Sequence, residues 1–455
     1  MTTTKMIKCN VADSEEWDVI IAGGGPAGTI AAVAAAREGA KTLLLEGTGC
    51  LGGMATSGLV SSWCPFSDGE KVIYKGLAEY VFEESKRALK CIKQEQIHGH
   101  IAFDPEQVKA LYDKMVTESG AKVLFHSFVA GVEMKNESEL ESVIVSNKRG
   151  LTAYKAKYFI DCTGDTDLAC FAGAEYEKGD KQTGSLMPSS LCFLLSNIDD
   201  YAYCFSGGTF AGNRNSPAWK IVNSDKYPEL DSIHCCSNWV GPATADFNAN
   251  HLFEVDSTNP ESVSKAMVLG RRKAKAMRDA LAEFWPDVFG NSHLAATANL
   301  LGVRESRRIV GEYCLTVEDY LARRSFNDEI SRNCYTIDIH QNSNDNKSCL
   351  DYDSWRAFMN KCTTVNGINA KYQPGESHGI PYRCLIPKGF KNLLVAGRSI
   401  SCDRRVQASI RVMPVAMAMG EAAGMAAAIL STQNIPAAMD IDMPSFRQAL
   451  KEHQS

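Results

Sequence analysis

The chain has 455 residues, of which 45% are hydrophobic and 22% are charged, and its net charge is −6. This length exceeds one comfortable hydrophobic core and predicts two domains of a globular protein. The acidic balance offers no basic footprint for nucleic acid or an anionic membrane surface, and no apolar run approaches the roughly 18 residues that cross a bilayer. We expect residues 1–14 to form a polar tail rather than a signal peptide.

The sixteen cysteines include no C-x-x-C pair. Their scatter argues against an iron–sulfur cluster or a zinc knuckle, and no metal site is predicted. We expect most of them to be buried reduced thiols, which favours a reducing, cytoplasmic setting.

The stretch at 18–28 is a predicted β-strand that leads into glycines spaced G-x-G-x-x-G. Gly23 permits a tight turn, Gly25 lets the backbone approach a pyrophosphate, and Gly28 lets helix and strand pack closely. An alanine-rich helix follows, and the next predicted strand ends at Glu46, placed to accept hydrogen bonds from a ribose hydroxyl. The pattern predicts a dinucleotide site, with a glycine-rich turn of an ordinary βαβ unit as the alternative. It does not separate FAD from NAD.

Small residues fill 47–58, as suits a second loop along an extended cofactor, although a flexible surface loop has the same composition. A helix is predicted from Pro105 to Gly120, with Asp104 as N-cap and Gln107 reaching back to it. Strands then follow at 122–125, 129–134, 142–146 and 152–154, and the last three resemble an antiparallel meander.

A further strand at 158–161 leads into Thr163-Gly164-Asp165-Thr166-Asp167. Gly164 and Asp165 are a candidate third cofactor contact, because glycine allows close approach. Alternatively, Asp165 or Asp167 is the N-cap of the next helix.

From about 179 to 379 turn residues, aromatics and long polar connections dominate, with one clear helix over 260–284. Within this block, Arg304, Arg307 and Arg308 are spaced to clamp an anionic substrate group. Pairing with nearby acids on the surface is the alternative.

The C-terminal third begins with a strand at 391–395, which ends at Gly397-Arg398. A long helix then opens at Met413, has Pro414 in its first turn and extends to about residue 430. Small residues at spacings of three and four let another backbone approach closely. The free N–H groups at its start suit a partly anionic ring, and a core helix without ligand is the alternative.

Together these blocks resemble the FAD-dependent oxidoreductases of the glutathione-reductase-like two-domain class, and most closely a bacterial group with a G-G-M-A-T loop. The heterodisulfide-reductase A-like flavoproteins are more distant. The resemblance rests on Gly23–Gly28, Glu46, Leu51–Ser57, Asp161–Asp167, Gly302–Gly311, Ile380–Pro387 and Asn392–Ala427.

The resemblance implies an α/β fold, with a Rossmann-like FAD-binding domain of parallel sheet plus β-meander and an inserted α+β substrate domain. The FAD-binding domain is expected over 15–178 and 380–440, the substrate domain over 179–379, and a C-terminal tail over 441–455. The implied FAD contacts are Gly23, Gly25, Pro26, Ala27, Gly28 and Glu46 for the ADP half, the backbone at Val129 for adenine, Gly52, Gly53 and Met54 near the flavin, Gly397 and Arg398 near ribityl and phosphates, and Met413, Val415 and Ala416 at the pyrimidine edge.

Catalysis is predicted to be hydride or electron transfer between FAD and a small organic molecule, with Arg304 binding an anionic group. His378, Tyr382 and Arg383 are the candidate acid/base groups, because a loop before the return to the flavin domain can reach the interdomain cleft. His378 is alternatively structural, and His234 and His340 rank below it. Other hypotheses are an electron-transfer subunit working with a partner protein, a flavoprotein with no net redox change, and an interaction module without cofactor.

Overall fold

The computed structural model describes residues 11–90, 92–205, 207–340, 342–343, 349, 351–365 and 367–453. Up to residue 178 the chain forms one large sheet, the helices that cover it and a few short strands. These elements are β1 (Val11–Asp13), β2 (Trp17–Ala22), α1 (Pro26–Arg37), β3 (Thr42–Leu45), β4 (Ser62–Trp63), α2 (Leu77–Ala88), β5 (Ile101–Ala102), α3 (Pro105–Ser119), β6 (Lys122–Leu124), β7 (Phe128–Asn136), β8 (Glu139–Asn147), β9 (Gly150–Asp161), α4 (Asp167–Phe171) and β10 (Tyr176–Lys178).

The remaining chain adds a second sheet and then returns to the first. Its elements are β11 (Phe193–Ser196), α5 (Asp200–Cys204), α6 (Pro217–Val222), β12 (Cys235–Gly241), β13 (Thr244–Ala249), α7 (Pro260–Phe284), α8 (Pro286–Phe289), β14 (His293–Thr297), β15 (Arg307–Ile309), α9 (Val317–Leu321), β16 (Glu329–Asn333), α10 (Tyr352–Cys362), β17 (Thr364–Val365), β18 (Ile368–Asn369), β19 (His378–Pro381), β20 (Leu393–Val395), α11 (Arg404–Ile410), α12 (Met413–Thr432) and α13 (Met443–His453).

The large sheet has a parallel half and an antiparallel half that share strand β9. The parallel order is β6-β3-β2-β9-β20, and β8 and β7 continue the sheet as an antiparallel meander beside β9. Residues 150–155 of β9 pair with β8, whereas residues 156–161 pair with β2. The sequence predicts two separate strands here, and the structure corrects them to one strand of 12 residues.

Both faces of the parallel half are buried, as parallel strands require. Val19 and Ile21 point to the face that α1 and α12 cover, whereas Ile20 points to the opposite face. Helices α1 and α12 touch backbone to backbone, because a Cβ on Gly420 or Gly424 would lie 2.1 Å from the carbonyl oxygen of Ala27 or Ala31. The predicted small-residue stripe therefore packs helix against helix.

The second sheet is antiparallel, in the order β12-β13-β11-β14. With α6, α7 and α8 it encloses its own apolar cluster around Phe193, Phe247 and Met277. Leu315, Ile330 and other residues further along 179–379 instead pack into the main core. The predicted insertion thus supplies a separate layer and also part of the first domain's core.

Several predicted boundaries need correction. Residues 11–13 of the N-terminal tail form β1, which pairs with β9, and residues 443–453 of the C-terminal tail form α13, whose Phe446 and Leu450 are buried. Of the two predicted tails, residues 1–10 and 454–455 lie outside the described residues. Asp104 caps α3 through the N–H of Glu106, and no contact of Gln107 with this cap was found among the hydrogen bonds of the described chain.

One helix contradicts the expectation that no apolar run is long enough to cross a membrane. Helix α12 meets that criterion by length and composition. However, 94% of its apolar window is buried inside the protein, as in the core helix of a globular protein.

We expect Gly424→Ala to lower the free energy of unfolding by about 2 kcal/mol, since the new methyl group forces α1 and α12 apart. Gly241→Ala is the matched control, because no heavy atom among the described residues lies within 4 Å of the Cβ position there. Urea unfolding of both variants checks this. Equal unfolding midpoints would contradict the close helix contact.

Candidate active site

A groove of about 470 Å³ runs past the carboxyl ends of β2, β3 and β9. Ligands of open α/β sheets bind at this edge. The groove brings together fourteen of the predicted cofactor residues, which are Gly23, Gly25, Pro26, Ala27, Glu46, Gly53, Met54, Val129, Gly164, Asp165, Gly397, Arg398, Met413 and Ala416.

The glycines at the start of α1 each meet a different steric demand. Gly23 has φ +93° and passes close to the backbone of Cys162, while a Cβ on Gly28 would lie 1.8 Å from the Gly23 carbonyl oxygen. Gly28 therefore closes the turn and does not line the groove. At Gly25 no described atom lies within 4 Å of the Cβ position, so the backbone is bare toward the groove.

Glu46 stands at the end of β3 and orders the surrounding backbone. Its Oε2 accepts a hydrogen bond from the Gly24 N–H at 2.7 Å, and its Oε1 accepts one from the Thr48 N–H at 2.6 Å. Each carboxylate oxygen keeps a second lone pair. Glu46 can thus hold this loop and still accept a bond from a ligand hydroxyl.

The opposite wall of the groove carries an ion pair. Arg398 Nη2 donates to Asp165 Oδ1 at 3.0 Å, and Ser257 Oγ donates to the same oxygen at 2.9 Å. Burial alone would raise the pKa of Asp165, but the Arg398 charge and these hydrogen bonds lower it below its usual value. The N-cap of α4 is Thr166, so neither Asp165 nor Asp167 has the predicted capping role.

Two further predicted cofactor residues do not line the groove. Gly52 has φ +98°, and its N–H donates to the Gly24 carbonyl, so it shapes the loop from behind. Val415 lies in the first turn of α12 and is fully buried in the core. Met413 and Ala416, in that same turn, reach the groove.

A small pocket of about 110 Å³, called the neck below, lies between the groove and a cavity of about 510 Å³. Met54, Arg398 and Met413 line both the groove and the neck, whereas Val60 and Asn248 line both the neck and the cavity. Arg411 lines all three spaces. The groove, the neck and the cavity therefore adjoin one another.

Two arginines give the cavity a positive wall. Arg304 Nη1 donates to the Pro188 carbonyl at 2.8 Å and to Ser190 Oγ at 2.9 Å. Burial lowers the pKa of Arg304 to about 10, so its guanidinium stays charged at neutral pH. Arg411 pairs with Asp338 at 2.8 Å, and its Nε is buried with no hydrogen-bond partner among the described residues.

The other two arginines of the predicted clamp are structural. Arg307 pairs with Asp167 at 3.2 Å, and Arg308 pairs with Glu305 at 3.3 Å beneath the surface. Of the three, only Arg304 faces the cavity.

Three histidines cluster on the cavity wall, namely His234, His251 and His340. Burial lowers the pKa of His340 to about 4, and it lowers the pKa of the other two well below the usual range. All three rings are neutral at physiological pH. The sequence analysis ranks His234 and His340 below His378, yet His234 and His340 line the cavity and His378 does not.

Asp246, on β13, is a buried carboxyl on the same wall. Its Oδ2 accepts a hydrogen bond from the Ser61 N–H at 3.1 Å, while Oδ1 has no partner among the described residues. Burial raises the pKa of Asp246 to about 7. Such a group can gain or lose a proton near neutral pH.

The predicted acid/base residues lie elsewhere, which corrects that part of the sequence analysis. None of His378, Tyr382 and Arg383 lines the groove, the neck or the cavity. His378 is fully buried and bonds to Tyr372, Tyr382 packs against Phe446, and Arg383 pairs with Asp328 at 2.8 Å. They hold β19 and its flanks in place.

Sequence reasoning missed Asp246, His251, Asp338 and Arg411. They come from distant segments, and no local spacing connects them. Arg411 alone had a signal, since it directly precedes the turn that opens α12.

A family model described as FAD dependent oxidoreductase matches residues 18–450. The chain belongs to this family. It is an FAD-dependent oxidoreductase, so the predicted cofactor, enzyme class and α/β fold are confirmed, while the glutathione-reductase-like grouping stays a prediction.

Two curated relatives of this flavoprotein are thiamine thiazole synthases. The protein from Methanococcus aeolicus is 32% identical over 167 residues, which are 35% of this chain and 59% of that protein. The one from Methanococcus vannielii is 29% identical over 160 residues, or 33% of this chain and 58% of that protein. The chain thus spans just over half the length of either relative.

Solved structures are similar along most of the flavoprotein but at low identity. A geranylgeranyl bacteriochlorophyll reductase-like protein from Thermoplasma acidophilum is 13% identical, with a TM-score of 0.43 over 96% of this chain and 83% of that one. CabE, an aromatic hydroxylase from angucycline biosynthesis, is 11% identical, with a TM-score of 0.45 over 96% of this chain and 68% of that one.

We expect Asp246→Asn to change how the stability of this flavoprotein depends on pH. The pKa of Asp246 is about 7 in the fold against an ordinary value of 3.8, so the folded protein holds this proton more tightly. The wild type therefore loses stability as pH rises from about 4 through about 7. Asparagine cannot ionise and keeps an oxygen for the Ser61 N–H.

Urea midpoints of both proteins, compared between about pH 5 and about pH 8, test this. The urea midpoint of the variant should rise relative to that of the wild type as pH increases. Parallel curves would show that Asp246 does not titrate in this range.

Proposed function

We propose that this enzyme uses FAD held in the groove to oxidise or reduce a small anionic organic molecule bound in the adjoining cavity. The observation that carries the proposal is that groove, neck and cavity adjoin one another, with Arg411 on the wall of each. When bound, FAD supplies the acceptance or donation of a hydride or electrons.

The groove fits the two polar ends expected of FAD. The bare backbone at Gly25 and the start of α1 suit the pyrophosphate, and Glu46 suits a ribose hydroxyl. The first turn of α12, with Met413 and Ala416, suits the pyrimidine edge of the flavin, because unpaired N–H groups there favour negative charge.

The charges of the cavity favour an anionic substrate. Arg304 and Arg411 both carry positive charge, whereas Asp338 is paired to Arg411 and Asp246 has a pKa of about 7. A carboxylate or phosphate accepts charge-assisted hydrogen bonds from guanidinium groups. We therefore assign Arg304 and Arg411 to substrate binding.

Asp246 replaces His378 in our proposal as the group that moves a proton. It lies on the cavity wall and has an oxygen without a hydrogen-bond partner among the described residues. Its pKa is about 7, so both protonation states are populated near neutral pH. His378 does not line the cavity, and burial lowers the pKa of its ring to about 3, so the ring does not change protonation near neutral pH.

We also propose a reducing, cytoplasmic setting. Cys64, Cys162, Cys192 and Cys235 are among the free thiols of the described residues. Burial raises the pKa of several of them, Cys64 and Cys235 among them, to about 12, which keeps them protonated and unreactive.

Gly25→Val should abolish FAD binding while leaving the protein folded. The valine side chain enters open groove space, so it blocks the cofactor without meeting described protein atoms. Gly241→Val is the control, because its Cβ position is equally free and lies outside the groove. Flavin absorbance per chain and far-ultraviolet circular dichroism check this, and full flavin content in Gly25→Val would refute the placement.

Anaerobic bleaching of the flavin band, screened with pairs of small carboxylates and their neutral amides, tests the substrate class. We expect the carboxylate of a productive pair to bleach the flavin and its amide to be at least ~10-fold slower, since a charge-assisted hydrogen bond is lost. Equal rates would remove the anionic preference. Reduction only after addition of a partner protein would instead establish an electron-transfer subunit.

A further inference from the structure

The β12–β13 hairpin holds two histidine rings side by side at its base. His234 directly precedes β12, and His251 follows β13 by two residues. The Asn250 N–H donates to the His234 carbonyl at 2.8 Å, which extends the hairpin pairing to these residues. Their rings stack with centroids 4.6 Å apart.

His340 completes the group from a separate segment. Its Nδ1 lies 3.0 Å from Nε2 of His251, and one ring nitrogen from each of the three histidines lies within 4.8 Å of the other two. Nitrogen ligands around a tetrahedral zinc ion are roughly 3.4 Å apart. Small side-chain rotations close the remaining gap.

The outward nitrogens of two rings are already held by other groups. Nε2 of His340 faces Asp338 Oδ2 at 3.3 Å. The carboxylate can accept a hydrogen bond from Nε2–H, and this tautomer leaves Nδ1 with a lone pair. Nδ1 of His251 lies 3.1 Å from Ser232 Oγ. Because a hydroxyl can donate or accept, it can accept a hydrogen bond from Nδ1–H when Nε2 binds an ion.

The third ring also presents a lone pair. Arg304 Nη2 lies 3.3 Å from Nε2 of His234, and because a guanidinium can only donate, this hydrogen bond uses the lone pair of an unprotonated Nε2. Asn248 Oδ1 lies 3.3 Å from the same nitrogen and would accept a hydrogen bond from the other tautomer. The same Nη2 lies 3.3 Å from Asn248 Oδ1. Arg304 can therefore still donate to Asn248 Oδ1 if the His234 ring rotates to bind an ion.

We propose that His234, His251 and His340 bind a divalent first-row transition metal ion, with Zn²⁺ as the reference case, on the wall of the substrate cavity. Imidazole ligands select such ions over Mg²⁺ and Ca²⁺. Three protein ligands leave at least one coordination position open toward the cavity, for water or for an anionic substrate group. That anionic group would also offset the positive charge of Arg304 and Arg411.

This site goes beyond the proposed redox function, and binding of the ion does not depend on flavin. The test uses the holoenzyme, stripped of metal with a chelator and titrated with Zn²⁺ in a calorimeter. Equilibrium dialysis followed by elemental analysis gives the zinc content per chain. We expect one ion per chain in the wild type and affinity weakened on the order of 100-fold or more in His340→Asn.

His100→Asn is the matched control, because His100 lines the same cavity but lies outside the group of three. It should bind zinc as the wild type does. X-ray absorption of the zinc-loaded wild type should show imidazole nitrogens at about 2.0–2.1 Å, a readout that holds even if a variant does not fold.

Three results would overturn the site: no saturable zinc binding, equal affinity in His340→Asn and the wild type, or a zinc environment without imidazole. Each result is separate from the flavin content of Gly25→Val, so failure of the metal site and failure of the FAD site are distinguishable.

Discussion

The contact between α1 and α12 is the constraint on which the site depends. Side-chain-free positions at Gly420 and Gly424 bring the backbone of α12 against the carbonyl oxygens of Ala27 and Ala31. This close approach fixes where both helices begin, and both begin at the groove. A larger residue at either glycine separates the helices and moves two walls of the groove relative to each other.

The second constraint is electrostatic and centres on Arg411. Its guanidinium is tied to Asp338, which also faces His340, so one carboxylate connects the arginine wall to the histidine group. Buried charges of this kind are stable only when each has a partner. A ligand that brings negative charge to Arg304 and Arg411 therefore matches the unbalanced part of the cavity.

The sequence predicts most of the residues that line the groove, because its signals there are local. Glycine spacing, the acid that ends β3, and prolines at the starts of α3, α7 and α12 act within a few residues of where they stand. The family resemblance added the prediction of Gly397 and Arg398, which line the opposite wall of the groove. Gly28, Gly52 and Val415 were expected to contact the cofactor but do not line the groove. A residue that supports the local backbone and a residue that contacts a ligand give the same local pattern in the sequence.

The substrate half was predicted poorly because it is assembled over long distances in sequence. Asp246 and His251 come from one hairpin, His340 and Arg411 from segments far along the chain, and no periodicity relates them. The chain order favours His378, yet β19 carries it into the core beside Tyr372. Burial and tertiary pairing, which a single sequence does not encode locally, decided between these residues.

Strand β9 has a consequence for how the molecule opens. One half of it pairs with the meander strand β8, and the other half pairs with β2 in the parallel sheet. Neither layer can therefore lose β9 without disturbing the other. Backbone amides in both layers should therefore share one opening free energy in hydrogen exchange, as members of a single cooperative unit. The end of the groove that includes Val129, on the meander strand β7, is therefore held in place by the sheet itself.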